Sequence, residues 1–166
     1  EGVVQGFLCP CLEITDQVLE ERRARLRVEL TERFRAERDP KALSYEAAAL
    51  LARHLDVQQG AYAAIDDSGA YAIIKTDWSA GGMPSNVGRH RLQDFGADFI
   101  ADVQEDPRTN TPEATETFAQ RGIRAVLNVP HVRDGRLVAV LALHADKPRC
   151  WHPADVALAE EVAQRT

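Results

Sequence analysis

Residues 122–144 read GIRAVLNVPHVRDGRLVAVLALH, in which the polar group RDGR separates two apolar runs. An Asp-Gly pair between such runs is typical of a tight turn that joins antiparallel strands. The stretch therefore predicts two paired strands, at 124–130 and 136–144. The second run is aliphatic until it ends in His144. This histidine is either a wall of a ligand pocket or a strand end that bonds to backbone or water.

A second hairpin is predicted upstream, where AYAAI (61–65) and AYAIIK (70–75) flank the turn residues DDSG. An amphipathic helix is predicted before it, and another is predicted to begin at Pro153. The first helix rests on apolar residues that recur at spacings of four, seven, eight and twelve: Leu43, Ala47, Leu50, Leu51 and Leu55.

Two hairpins without parallel crossovers predict an α+β domain with a mostly antiparallel sheet. The helices at 43–55 and 153–165 are expected to share one face of this sheet. The irregular middle of the chain is expected to cover the other face. A segment without regular structure packs on a sheet less completely than a helix does. A pocket is therefore expected between the irregular middle of the chain and the sheet.

The middle of the chain is predicted to contain three short elements. Residues 91–95 are expected to form a strand, and GADFIADVQ (96–104) and TPEATETFAQRG (111–122) are expected to form helices or helical turns. Thr111 is placed to cap the second helix, since its side-chain oxygen can accept from a free backbone N–H.

A long polar helix is predicted over residues 12–38, and it serves as a linker. Four of its leucines fit heptad positions a, a, a and d: Leu12, Leu19, Leu26 and Leu30. Asp16 and Arg23 occupy the d positions between them, so the apolar stripe is interrupted. A helix of this kind needs a partner to bury its leucines. We therefore expect a homodimer through residues 12–37 as a parallel coiled coil. The alternative is a solvated connector.

Composition limits the classes of partner. The net charge of −6 argues against a nucleic-acid surface, which needs clustered Lys and Arg. No apolar run is long enough for a membrane segment, and no signal peptide is visible. Three cysteines, Cys9, Cys11 and Cys150, are an odd number and fit a reducing, cytoplasmic location. No metal site is predicted, because Cys9 and Cys11 lack further ligands at zinc spacing.

Residues 40 to 166 resemble a GAF domain. The resemblance rests on the entry helix, the hairpin AYAAIDDSGAYAII, the segment GIRAVLNVPHVRDGRLVAVLALH and the closing PRCWHPADVALAEEVAQRT. The stretch WSAGGMPSNVGRHRLQDFG is similar to GAF domains of bacterial sensor histidine kinases, which often contain PAS domains. Residues 1–11 are similar to the end of a PAS domain, followed by a D-I-T-like motif at Glu13-Ile14-Thr15. This divides the chain into 1–11, a linker helix at 12–38 and a GAF domain at 39–166.

The resemblance implies a six-stranded antiparallel sheet with terminal helices on one face, an irregular helical cover and a ligand pocket on the other, and a long linker helix in front. It also implies signal output through the helices that enter and leave the domain, and no catalysis. Neighbouring PAS and kinase domains of the same polypeptide are the implied partners.

Six residues are candidates for binding a cofactor or ligand. Strand alternation places Arg124 and Asn128 on one face, where they can meet His144 of the neighbouring strand. In phytochrome-like GAF domains a histidine at the end of this strand touches a bilin. Three aromatic residues are candidates for the pocket walls: Trp78, Phe95 and Phe99.

The cofactor itself is unknown. Covalent attachment of a bilin is argued against, because the middle segment DPRTNTPEATETF contains no cysteine. The expected function is a regulatory GAF sensor domain of a bacterial signal-transduction protein, of the histidine-kinase class, that senses an unknown small ligand or relays a signal through its helices. The alternatives are a dimerisation spacer that binds nothing, a GAF-type methionine sulfoxide reductase and a non-covalent tetrapyrrole binder.

Overall fold

The computed structural model describes residues 16–92 and 99–166. Within these ranges the helices are Asp16–Ala36 (α1), Pro40–His54 (α2), Pro112–Arg121 (α3) and Pro153–Arg165 (α4). The strands are Gln59–Ile65 (β1), Tyr71–Ser79 (β2), Gly88–Arg91 (β3), Phe99–Ile100 (β4), Ala125–Arg133 (β5) and Arg136–Ala145 (β6). The PAS-like strand and Phe95 lie outside the described residues.

The described strands form one sheet in the order β3-β2-β1-β6-β5-β4, and every neighbouring pair is antiparallel. Helices α2 and α4 pack together on one face. This confirms the predicted α+β architecture with a six-stranded antiparallel sheet.

The hairpin of β5 and β6 forms as its sequence predicts. Asp134 and Gly135 both have positive φ, 51° and 74°, which is typical of the two-residue turn whose twist matches paired strands. The pairing sets Val126 opposite His144 and Asn128 opposite Ala142. These facing positions fix which side chains share the open face of the sheet.

Strand β2 contains an irregularity that the sequence does not reveal. Ala61 pairs with Asp77 and Ala63 pairs with Ile74, so β2 has one more residue than β1 between these pairs. A bulge of this kind shifts the alternation of the side chains by one position. Ile74 and Asp77 therefore face the same side, although an odd number of positions separates them.

The main core lies between the sheet and the two helices. It is built from alanines and leucines of α2, valines and leucines of β5 and β6, and Leu158, Ala159 and Val162 of α4. The approach of α2 to β1 is close at Gly60, where a Cβ atom would lie 2.7 Å from the carbonyl oxygen of Ala48. Only glycine fits at this position, because any side chain would clash with the backbone of α2.

Helix α1 packs on the domain itself. Leu26 and Leu30 are 3% and 1% exposed and belong to the main core. Arg27 reaches α4, where its Nε lies 3.0 and 2.9 Å from the two carboxylate oxygens of Glu161. The expectation that Leu26 and Leu30 need the helix of a second chain to bury them is therefore wrong, because other residues of the same chain bury them. A dimer through residues 12–37 stays a prediction, and it would have to use other side chains of α1.

The middle of the chain departs from two predictions. The helix expected over GADFIADVQ is wrong for its described part, because Phe99–Ile100 pair with β5 and turns follow them. The Asp102 carboxylate accepts from the backbone N–H of Gln104 at 3.0 Å, a local bond that competes with a helix. The strand expected at 91–95 shares only Arg91 with the observed strand β3, Gly88–Arg91, and residues 93–95 lie outside the described residues.

Helix α3 has the ends that the sequence predicts. The Thr111 side chain accepts from the N–H of Ala114, and Gly122 closes the helix at a φ of 67°, where glycine is favoured. No residue of α3 is fully buried. The helix therefore covers the open face of the sheet without filling the space beneath it.

Candidate functional site

A cavity of about 490 Å³ lies between α3 and the open face of the sheet. Its size is within the range of sites that hold small organic ligands. The strands supply Ile74, His90, Ile100, Val126, Asn128 and His144. Helix α3 and the connecting segments supply the remaining lining: Asn86, Arg108, Thr109, Thr111, Glu113, Ala114, Thr117, Phe118, Arg121 and Ile123.

His144 belongs to a buried network of polar side chains. Its Nδ1 lies 3.0 Å from Oε1 of Gln59 and 3.2 Å from Nδ2 of Asn86. Gln59 is fully buried, and its Nε2 donates to Asp77 at 3.1 Å and to the Pro84 carbonyl at 3.0 Å. The network joins β1, β2 and β6 to the loop that precedes β3.

The network fixes the tautomer of His144. Both amide hydrogens of Gln59 are used, so its Oε1 is an acceptor. Asn86 also donates to this oxygen, at 2.5 Å. We therefore assign the ring proton of His144 to Nδ1, which donates to Gln59, and Nε2 carries the lone pair.

His144 is neutral at physiological pH. The pKa of its imidazole is lowered from the ordinary 6.5 to about 4, chiefly by burial. The charges of Arg121 and His90 contribute to this lowering of the pKa, and the charge of Asp77 opposes it. A neutral ring with Nε2 unprotonated can accept a hydrogen bond from a ligand.

The cavity is also lined by two arginines and a second histidine. Arg108 is held in an ion pair with Asp106, at 2.7 Å between Nη2 and Oδ2. His90 Nε2 lies 2.8 Å from the carbonyl oxygen of Asn86, which links β3 to the network. Arg121, in the last turn of α3, has no ion-pair or hydrogen-bond partner within 16–92 and 99–166.

Asn128 and His144 are the candidate residues that the structure brings together in the cavity. Trp78 does not line it, which corrects the prediction. Because of the bulge in β2, Asp77 faces the cavity side and Trp78 packs against the core on the helix side. Its ring lies 5.5 Å from the guanidinium of Arg53.

Two other candidates also lie outside the lining, and both are corrections. Phe99 is 54% exposed at the edge strand β4, so it does not wall the cavity. Arg124 stands before β5 begins, and its Nη2 lies 2.6 Å from Oδ2 of Asp102. The pKa of that carboxyl is lowered, chiefly because Arg124 donates to it. Arg124 therefore anchors the turn after β4.

The sequence reasoning missed Gln59 and Asn86, the partners of His144. These residues are 27 positions apart and Asn86 lies in a loop without a regular pattern, so no local signal indicates their contact. The sequence reasoning also missed the side of α3 that lines the cavity. Ala114, Thr117, Phe118 and Arg121 follow helical spacing, and this spacing could have indicated one inward face.

A metal centre has no support in the part of the chain that the structure describes, where His, Cys, Asp and Glu form no group of three or more. Cys150 is exposed and does not line the cavity. None of the helices described over 16–92 and 99–166 combines the length and apolar character that crossing a bilayer requires.

These features define an α+β domain with a packed core on one face of its sheet and a ligand-sized cavity on the other. Residues 39–166 match the family model of the GAF domain, and the chain belongs to this family.

Solved structures of signalling proteins share this fold. The chromophore-binding domain of the bacteriophytochrome RpBphP3 from R. palustris aligns with a TM-score of 0.73 and 17% identity, over 90% of this chain and 60% of that one. The blue-light absorbing form of the PixJ GAF domain from Thermosynechococcus elongatus aligns with a TM-score of 0.65 and 17% identity, over 92% and 86%.

A domain assigned to a two-component sensor histidine kinase of Sinorhizobium meliloti 1021 aligns with a TM-score of 0.63 and 16% identity, over 78% of this chain and 88% of that one. This chain spans about 60% of the length of the bacteriophytochrome domain. No curated protein matches the chain in sequence.

Proposed function

We propose that this GAF domain is a regulatory sensor module of a bacterial signal-transduction protein of the histidine-kinase class. A small organic ligand occupies the cavity beneath α3, and the domain performs no catalysis itself. The observation that supports this most is the cavity of about 490 Å³, whose lining combines apolar side chains with fixed polar groups. A spacer domain has no need of such a volume.

The route for output is the contact between the entry helix α1 and the exit helix α4. Arg27 and Glu161 join these helices through two hydrogen bonds, and Leu30 packs in the core that both helices share. A ligand that shifts α3 and the sheet changes the relative stability of alternative packings of α1 and α4. The effect on the output domain is then a shift of populations.

The first experiment tests occupancy of the cavity. Native mass spectrometry of the purified chain detects any retained ligand, and ligand-observed NMR with a fragment library detects new ones. The variant Thr117→Trp places an indole in the cavity from an exposed position of α3. We expect it to lose fragment binding. Gln120→Trp, on the same helix but outside the lining, is the matched control and should keep it.

The outcomes separate the sensor from its alternatives. Binding that Thr117→Trp abolishes and Gln120→Trp retains supports the sensor. Absence of any bound molecule, together with equal behaviour of both variants, would favour the dimerisation spacer. Visible absorbance of the purified chain would indicate a tetrapyrrole. Turnover of oxidised methionine that is lost in Cys150→Ser would indicate a reductase.

A second experiment tests the output route. Hydrogen exchange is measured with and without a fragment found in the screen. The proposal expects changed protection in α1 or α4 as well as in α3. Changes confined to α3 would contradict the relay.

A further inference from the structure

One buried acceptor in the cavity has no hydrogen-bond partner among the described residues. It is Oδ1 of Asn86, a residue that is 3% exposed and lines the cavity. The amide cannot be turned over to satisfy it, because Nδ2 lies 2.5 Å from Oε1 of Gln59. Turning it would set one oxygen against another. Buried acceptors without partners are costly, so this oxygen indicates a missing donor.

A second acceptor stands beside the first. With the proton of His144 assigned to Nδ1, which donates to Gln59, the lone pair of Nε2 is available. Nδ1 of this ring lies 3.2 Å from Nδ2 of Asn86, so the two side chains that carry these acceptors are neighbours in the cavity wall. An N–H or O–H group of a ligand fits this part of the wall, whereas a carbonyl or carboxylate does not.

A positive charge also lines the cavity. Arg121 lines the cavity and is half-buried, without an ion-pair partner in the described ranges. The lining carboxylate of Glu113 is eight residues earlier on α3, about 12 Å along the helix axis. Arg108 is already paired with Asp106. Arg121 therefore suits an acidic group of the ligand, which it can hold by charge-assisted hydrogen bonds.

The lining also contains an apolar group, made of aliphatic side chains of the sheet and of the segment before β5 and one aromatic ring of α3: Ile74, Ile100, Ile123, Val126 and Phe118. Three threonines, Thr109, Thr111 and Thr117, are uncharged polar members of the lining. The apolar group suits a flat hydrocarbon body that carries both the acid and the donor.

We propose that the ligand is a small aromatic acid with a hydroxyl or N–H donor. Its acid group pairs with Arg121, and its donor bonds to Oδ1 of Asn86 and Nε2 of His144. This inference rests on the proposed function, since it names the chemical class of ligand that the cavity takes.

The test measures binding of matched compounds to the whole chain by isothermal titration calorimetry. The acids are 4-hydroxybenzoate, 4-hydroxyphenylacetate and 3-(4-hydroxyphenyl)propanoate, which span three lengths. Each is compared with its methyl ether, which lacks the donor, and with its amide, which lacks the charge. We expect at least one acid to bind about tenfold or more tightly than both of its partners.

Two variants assign the two ends. Arg121→Gln should bind the acid and its amide equally, because the charge is gone. Arg133→Gln makes the same change of charge at the exposed end of β5 and should leave the preference intact. Asn86→Ala should bind the phenol and its methyl ether equally. Circular dichroism checks that Asn86→Ala is folded, and if it is not, Arg121→Gln still tests the acid end.

The results distinguish failure of the inference from failure of the proposed function. Methyl ethers or amides that bind as tightly as the acids would overturn the inference and leave a ligand-binding sensor. The same holds if no acid binds while neutral fragments do. If neither acids nor neutral fragments bind, both the inference and the proposed function are wrong.

Discussion

Replacing Leu30 by alanine tests whether α1 is part of the domain. The side chain is 1% exposed and belongs to the main core, together with residues of α2 and α4. The change removes about three methylene equivalents, at about 0.8 kcal/mol each, and leaves a cavity that adds a further cost. We expect the free energy of unfolding to fall by about 3 kcal/mol.

The assay is urea denaturation followed by circular dichroism, at two protein concentrations that differ about tenfold. Val28→Ala is the matched control, since Val28 lies on the same helix and is 59% exposed. We expect this control to change the free energy of unfolding by less than about 0.5 kcal/mol. Packing within one chain also predicts that the loss caused by Leu30→Ala is the same at both concentrations.

Two results would refute this reasoning. A loss below about 1 kcal/mol, equal to that of Val28→Ala, would mean that α1 does not pack on the domain. A loss that grows with protein concentration would mean that Leu30 is buried by a second chain, as in the coiled coil expected from the heptads.

Three further predictions follow from packing and charge. Gly60→Ala should lower the free energy of unfolding by about 1–3 kcal/mol in the same urea assay, because the new Cβ would meet the carbonyl oxygen of Ala48 at 2.7 Å; an unchanged midpoint would contradict this. The pKa of His144 is about 4 in the folded chain and 6.5 ordinarily, so the stability it contributes is complete above pH 6.5 and is lost as the pH falls towards 4. Wild type should lose about 2 kcal/mol more than His144→Gln between pH 7 and pH 5, and parallel pH profiles would exclude this origin. Arg27 and Glu161 are exposed enough for solvent to screen them, so a double-mutant cycle should give a coupling below about 1 kcal/mol that disappears in 1 M salt; persistence in salt would be inconsistent with a surface ion pair.

The local parts of the fold could be predicted from the sequence. Asp134-Gly135 needs positive φ at both positions, Thr111 offers a capping oxygen and Pro153 suits a first helical turn, so each feature depends on neighbours in the chain. The helix expected over GADFIADVQ fails for the opposite reason. Its described part pairs with β5, and long-range pairing overrides local propensity.

The site could be predicted only in part. Strand alternation and the β5–β6 pairing bring Asn128 and His144 to one face, because both depend on a regular period of two. Trp78 was misplaced because a bulge changes that period. Gln59 and Asn86 were missed because the contact between a strand and a distant loop leaves no periodic trace in the sequence.

The bulge in β2 has a consequence for how such a domain can diverge. Deleting one residue between Ile74 and Asp77 would remove the bulge and still leave Asp77 opposite Ala61, on the cavity side, with Trp78 on the helix side. A regular strand of the present length would instead turn Asp77 towards the helices and bring Trp78 into the cavity. Loss of a codon at this point therefore preserves the acidic anchor for glutamine and asparagine, whereas a substitution that flattens the strand without shortening it would replace that anchor with an indole wall.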